Sequence, residues 1–188
     1  MGPANARAAN IWQMKLTNIV PEGTVVRKGG FVADLDKSEI TGKFKDSQLS
    51  VQKFEAVYLQ TKLDSTLALS QARDELVGLA YSQEEKRLSM EQSAYEAPAM
   101  RRQAEIEHER AQHAYAQAKK NYVTKTKQSI AKAQAAELDL LKERQRLELY
   151  QTTMQDFTIM APADGMVIYA REWDGKKKVV GSTVSSWD

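Results

Sequence analysis

The sequence has no cysteine. That excludes disulfides, thiolate metal sites and cysteine nucleophiles. Aromatic residues make up only 7% of the 188 residues, too few for one large globular core. No apolar run approaches the roughly 18 residues of a membrane span. Met1 to Asn10 also lacks the apolar stretch of a secretory signal. Charge of one sign is missing too, with 27 Lys and Arg against 25 Asp and Glu. The two signs are interspersed, so there is no clustered basic stripe of the kind a nucleic acid would need.

Proline and glycine are scarce in a patterned way. All four prolines, Pro3, Pro21, Pro98 and Pro162, lie outside the two longest periodic segments, and Gly78 is the one glycine between Lys43 and Met160. From Ser38 to Phe157, about 120 residues rich in Ala, Glu, Gln, Lys, Arg and Leu hold Pro98 as their single strong breaker, which predicts helix on either side of it. Pro98 falls at the midpoint, as an antiparallel hairpin with arms of equal length requires. Each arm would be roughly 85 Å long at 1.5 Å per residue.

Both arms carry a heptad seam. In the second it reads Ala104, His108, Ala111, Tyr115, Ala118, Tyr122, then Thr126, Ser129, Ala133, Ala136, Leu140, Glu143, Leu147, Tyr150, Met154, Phe157, with a four-residue stutter between Tyr122 and Thr126. In the first it reads Ile40, Phe44, Ser47, Val51, Phe54, Tyr58, Thr61, Ser65, Ala68, Ala72, and a stutter leads to Leu76 and Leu79. In a hairpin centred between Ala97 and Pro98 the two stutters face each other within a few residues, so both seams keep facing the partner arm. The seam is polar and Ala-rich in its middle, which predicts thin internal stabilisation. Beyond Leu79 the first arm loses a clean apolar pattern, with Gln83, Lys86 and Ser93 in its place.

The ends differ in kind. Residues 11–37 and 157–188 hold short β-branched runs punctuated by Gly and Pro. Ile19-Val20 precedes Pro21-Glu22-Gly23, then Thr24-Val25-Val26 leads to Gly29-Gly30 and Phe31–Asp36. In the second segment Thr158-Ile159-Met160 precedes Ala161–Gly165, followed by Met166–Tyr169. The halves repeat each other: Gly29, Val32, Leu35 and Asp36 align without gaps on Gly181, Val184, Trp187 and Asp188. Neither half can bury a core alone, so a pseudo-twofold β-domain is expected, closed by the returning hairpin.

Glu22–Gly29 followed by Leu35-Asp36 resembles the first half-motif of the biotinyl/lipoyl domain in the membrane fusion protein (HlyD-like periplasmic adaptor) family. Ile159–Val167 resembles the second, in which an Ala-Pro-x-x-Gly turn starts the returning half. In that family a helical hairpin separates the two halves. The resemblance implies an α+β, mostly α fold: a long antiparallel coiled-coil hairpin inserted into a small lipoyl-like β-sandwich, or barrel-sandwich hybrid. The β-domain would be 11–37 plus 157–188, with turn glycines Gly23, Gly29, Gly165 and Gly181, and the arms 38–97 and 98–156. It further implies a non-enzymatic adaptor with no cofactor, in the periplasm. A segment outside this fragment would tether it to the inner membrane. It would assemble as a homo-oligomeric ring and bridge an inner-membrane transporter (ABC or proton-driven) to an outer-membrane channel in efflux or secretion. The family's tip motif is Arg, Leu four later and Ser seven after that; this sequence matches it only in degenerate form, at Lys86, Met90 and Ala97. Lys86, Arg87, Leu88, Met90, Tyr95, Ala97, Pro98 and Met100 are the expected channel-contacting tip.

Other readings compete. Lys37 follows Asp36 as a carrier lysine does in lipoyl and biotinyl domains, which would make the chain a carrier domain of a multienzyme complex. A structural coiled-coil scaffold clamped by the β-halves is a third reading. His108 and His113 are five apart and do not share a helix face as a zinc pair would. Glu105-x-x-His108 is half of a di-iron pattern with no second half.

Overall fold

In the computed structural model, residues 5–170 and 177–185 are described. Six strands and two long helices follow in the order β1 (Gln13–Ile19), β2 (Val25–Val26), β3 (Phe31–Leu35), α1 (Ser38–Gln92), α2 (Pro98–Asp156), β4 (Thr158–Met160), β5 (Gly165–Met166) and β6 (Thr183–Ser185). A single 3₁₀ turn, Ser93–Tyr95, follows α1. The fold is therefore mostly α, an antiparallel helical hairpin inserted between the halves of a small antiparallel β-domain. Two compact units divide the chain: Met1–Lys53 with Leu141–Asp188, and Phe54–Leu140.

The first unit holds the β-domain and the roots of both helices. A four-stranded sheet runs β4-β3-β1-β6, and a two-stranded sheet pairs β2 with β5. Met14 pairs with Val184, Leu16 with Leu35, and Ala33 with Ile159. From Gln13 to Thr17 β1 alternates, with Met14 and Leu16 buried and Gln13, Lys15 and Thr17 exposed, the mark of a half-buried strand, and the alternation ends at the register shift between Leu16 and Asn18. The core gathers Ala6, Ala9, Ile11, Met14, Leu16, Ala33, Leu35, Ile40 and Phe157, with Tyr150, Met154 and Val184 packed against it.

The expected twofold repeat appears in the hydrogen bonding. Gly29 N–H donates to the Ala161 carbonyl while Ala161 N–H donates to the Gly30 carbonyl. In the other half Gly181 N–H donates to Leu16 O, and Leu16 N–H donates to Ser182 O. Gly29 and Gly181 both take positive φ, 77° and 91°. A Cβ at either would meet no atom within 4 Å. Backbone conformation alone, rather than crowding, therefore calls for glycine there. Gly23 also has positive φ, whereas Gly165 lies in β5 without it. Val32 and Val184 both flank the core. Trp187 and Asp188, the last pair of the repeat, lie outside the described residues.

Two features of this unit were not read from the sequence. Residues 5–10 form a helical turn, closed by Asn10 N–H to Arg7 O and Ile11 N–H to Ala6 O, with Asn10 at φ 54°. Asn tolerates that left-handed region better than most residues. The turn is latched to both helices: Asn5 Nδ2 donates to Asp156 at 2.9 Å, and Lys43 Nζ donates to the carbonyls of Ala9 and Asn10. The start of α1 is held by an Asx turn, in which Asp36 Oδ1 accepts the N–H and hydroxyl of Ser38.

In the second unit, Phe54–Leu140, the seam positions are those the spacing assigns. Phe54, Tyr58, Thr61, Ser65, Ala68, Ala72, Leu76 and Leu79 on α1 are all at least half-buried. So are Ala104, His108, Ala111, Tyr115, Ala118, Tyr122, Thr126, Ser129, Ala133, Ala136 and Leu140 on α2. Both runs cross their stutters without losing the inward face. The inward face continues past Leu79, where the clean apolar pattern stops. Ser82, Gln83, Lys86, Met90 and Ser93 continue it, half-buried or buried, although most are polar. Helical geometry carries a face onward whether or not its residues are apolar.

Candidate functional site

The end of the hairpin is built by three local devices. α1 gives way to the 3₁₀ turn Ser93–Tyr95, in which buried Ser93 donates its hydroxyl to Met90 O at 2.8 Å. Glu96 is extended, and its N–H donates to Ser93 O. α2 then starts with Pro98, where a missing N–H costs nothing and the fixed φ suits the first helical position. The Ala97 carbonyl accepts from Met100 and Arg101 N–H, so Ala97 caps α2 with a side chain that cannot bond to it.

The eight expected tip residues fall into three settings. Leu88, Tyr95, Ala97, Pro98 and Met100 are exposed, and Tyr95 is 98% so. Tyr95 stands in the turn itself, while Leu88 and Met100 are the exposed apolar residues of the flanking helices. Arg87 is exposed but committed to its own helix, donating to Glu84 at 2.7 Å and Glu91 at 2.5 Å. Its hydrogen bond to Glu84 and the charge of both carboxylates raise its already high pKa, and Arg87 in turn lowers that of Glu84. Lys86 and Met90 are half-buried on the inward face. Lys86 Nζ donates to Glu107 Oε2 on α2 at 2.9 Å, with both side chains 38% exposed. The positions joined sum to 193, close to the 195 expected of a hairpin centred on the Ala97–Pro98 bond. Glu107 also accepts from Gln103, and Lys86 followed by Gln103 holds its pKa below the ordinary range. Glu107 raises Lys86 correspondingly.

Beside this pair, Leu79, Ser82, Lys86, Glu107, Arg110, Ala111 and Ala114 line an open groove of about 470 Å³. His108 sits on the inward face of α2 with its Nδ1 buried and unpartnered, while His113 is exposed. Among the described residues no group of His, Asp and Glu could hold a metal ion. No described helix is long and apolar enough to cross a membrane. At the root of α1, Lys37 Nζ donates to Thr158 Oγ1 at 2.6 Å and lies 3.7 Å from Asp34, so the lysine is tied across the β-domain.

No family model matches the sequence, and no curated protein matches it. Solved structures do. One is the soluble domain of LipC, a membrane fusion protein of a type I secretion system, at 13% identity over 94% of each chain and TM-score 0.45. Others are the periplasmic adaptor protein EmrA, at 14% identity over 94% of this chain and 67% of that one, TM-score 0.38, and MacA from Actinobacillus actinomycetemcomitans, at 18% over 90% and 46%, TM-score 0.39. The chain is similar to membrane fusion and periplasmic adaptor proteins. A likeness this distant says nothing of what the chain itself binds.

Proposed function

We propose that the chain is part of a non-enzymatic periplasmic adaptor that bridges an inner-membrane transporter to an outer-membrane channel in an efflux or secretion system. The observation that carries this reading is the pairing of two features: β-halves that repeat each other around an inserted hairpin, and a hairpin turn whose side chains face solvent. Tyr95, at 98%, is the most exposed large apolar side chain among the described residues, and it stands in the turn itself. The β-domain, 11–37 with 157–188, anchors the arms 38–97 and 98–156, and Gly23, Gly29 and Gly181 shape its turns, while Gly165 opens β5. The exposed residues Leu88, Tyr95, Ala97, Pro98 and Met100 make the channel contact. The adaptor works as a ring of copies, tethered at the inner membrane.

The carrier-domain reading requires a lysine free to swing between active sites. Lys37 is instead bonded to Thr158 and backed by Asp34, at the root of a helix. The experiment is photo-crosslinking in the producing cell, with a photoreactive residue at Tyr95 of the full-length protein and a control at exposed Leu63. The expected result is an adduct between position 95 and an outer-membrane protein that position 63 does not give. Equal capture at both positions, or capture at neither, overturns the tip assignment. Intact mass after growth with lipoate or biotin should show no addition at Lys37.

A further inference from the structure

The ion pair between Lys86 and Glu107 has a second role that its place in the sequence hides. Lys86 stands where the family-like motif would put a channel-contacting Arg. Its ammonium, however, points inward and bonds α2. The seam around it discriminates poorly between registers. Gln83, Met90 and Ser93 on α1 and Ala104 and Ala111 on α2 are polar, flexible or small, and an open groove lies beside the pair. Packing of that kind does little to fix how the two arms meet beside the turn.

Charge supplies what packing lacks. A slide of three or four residues one way sets Lys86 beside Arg110, a like charge. The other way sets it beside Gln103, which is neutral. A full heptad brings Ala114 or Met100. In none of these registers does Lys86 meet a carboxylate in the place Glu107 occupies. Each side chain of the pair is 38% exposed, so the pair acts through the geometry it imposes across the arms rather than through a large energy.

We infer that Lys86 and Glu107 form a register clasp, and that Lys86 is a positioning residue for the tip rather than a contact with the partner. The clasp fixes which residues fall in the turn. In the observed register Ser93 is buried and Tyr95 is turned to solvent two residues later. A slide of one helical turn would carry α1 about 5 Å past α2 and re-form the turn from other residues. This rests on the reading of the tip as the docking end, but the clasp can be tested apart from it.

The test uses the absence of cysteine. Spin labels at Ser89→Cys and Ile106→Cys, both exposed and on opposite arms, report the distance between the arms in the intact chain. Lys86→Glu is expected to widen the distance distribution about two-fold or to displace its mean by a helical turn. Lys86→Glu with Glu107→Lys should restore it, as should Lys86→Arg in place of the acid. An unchanged distribution in Lys86→Glu overturns the clasp. The crosslink from position 95 is then scored in the same variants. Its loss in Lys86→Glu and return in the charge-swapped pair support positioning. Return of the distance without return of the crosslink makes Lys86 a contact residue and overturns the inference. A wild-type tip that captures no partner sinks the docking reading while leaving the distance result to decide the clasp.

Discussion

Among the described residues, three carboxylates have pKa values below their ordinary range, each for a local reason. Asp36 accepts two hydrogen bonds from Ser38, Glu84 is held by Arg87, and Glu107 by Lys86 and Gln103. A folded-state pKa below the unfolded one contributes stability above the unfolded value and loses it as pH falls through the folded value. Acid should therefore loosen the tip as Glu84 and Glu107 protonate, from the ordinary glutamate value near 4.5 downward. Lys86 has the opposite sign, and its contribution is lost only as pH rises past its raised value. All of these groups are solvent-accessible, so the stability carried by any one of them is small and the change is read as local geometry at the tip. Acid titration of the spin-label distance should show the distribution broadening below the glutamate range in the wild type. In Glu107→Gln it should already be broad at neutral pH, with little further change. A Glu107→Gln distribution as narrow as wild type at neutral pH would count against the ion pair.

The helices illustrate how much a spacing can decide. Every seam residue named on both arms is at least half-buried, stutters included, because 3.6 residues per turn leaves only one face toward a partner. Pro98 was legible as a breaker but not as a helix start. Its role at the first position of α2 follows from the 3₁₀ turn before it, and nothing in the local sequence requires that turn. The cap is an opportunity. Ala97 stands at the N-cap with no side-chain acceptor, so Ala97→Asp should stabilise the start of α2 by roughly 0.5–2 kcal/mol. Hydrogen exchange at Ala99, Met100 and Arg101 should slow accordingly. If Ala97 belongs to the docking surface, the same variant should weaken the position-95 crosslink while making the helix firmer, a combination that a purely structural turn would not produce.

The two units differ in what stabilises them. The Met1–Lys53 and Leu141–Asp188 unit buries Phe157, Ile11, Leu35 and Ile40 almost completely. In Phe54–Leu140 the buried apolar residues are Ala72, Ala118 and Leu140, and apart from buried Ser93 and Ser129 the rest of the seam is half-open. Local stability follows buried apolar contact, so amides of 54–140 should exchange faster than those of β1 and β3. Phe157→Ala should cost about 3–5 kcal/mol, because the surrounding core cannot collapse fully onto the space left. Its effect should appear in the exchange of β1, β3 and the helix roots, with the amides near the tip little changed. Uniform loss of protection along the whole chain would mean that the two units unfold as one.

Periodicity, breaker placement and the repeat of Gly29 in Gly181 were enough to establish, from residues alone, two helical arms with defined inward faces and a β-domain made of two like halves. Each is set by local geometry, either the helical period or the positive φ that favours glycine. The strand β1 was not read from the sequence, because its alternation of Met14 and Leu16 is too short to stand out without the sheet that buries one face. Nor was the turn at 5–10, since its reason is the pair of bonds reaching it from Lys43 and Asp156, far away in sequence. The same holds at the tip. Spacing could place Lys86, Arg87 and Leu88 side by side near the central break. Only the folded hairpin decided that Lys86 faces the other arm, Arg87 its own helix and Leu88 the solvent, because the direction of a side chain depends on what the opposite helix offers it.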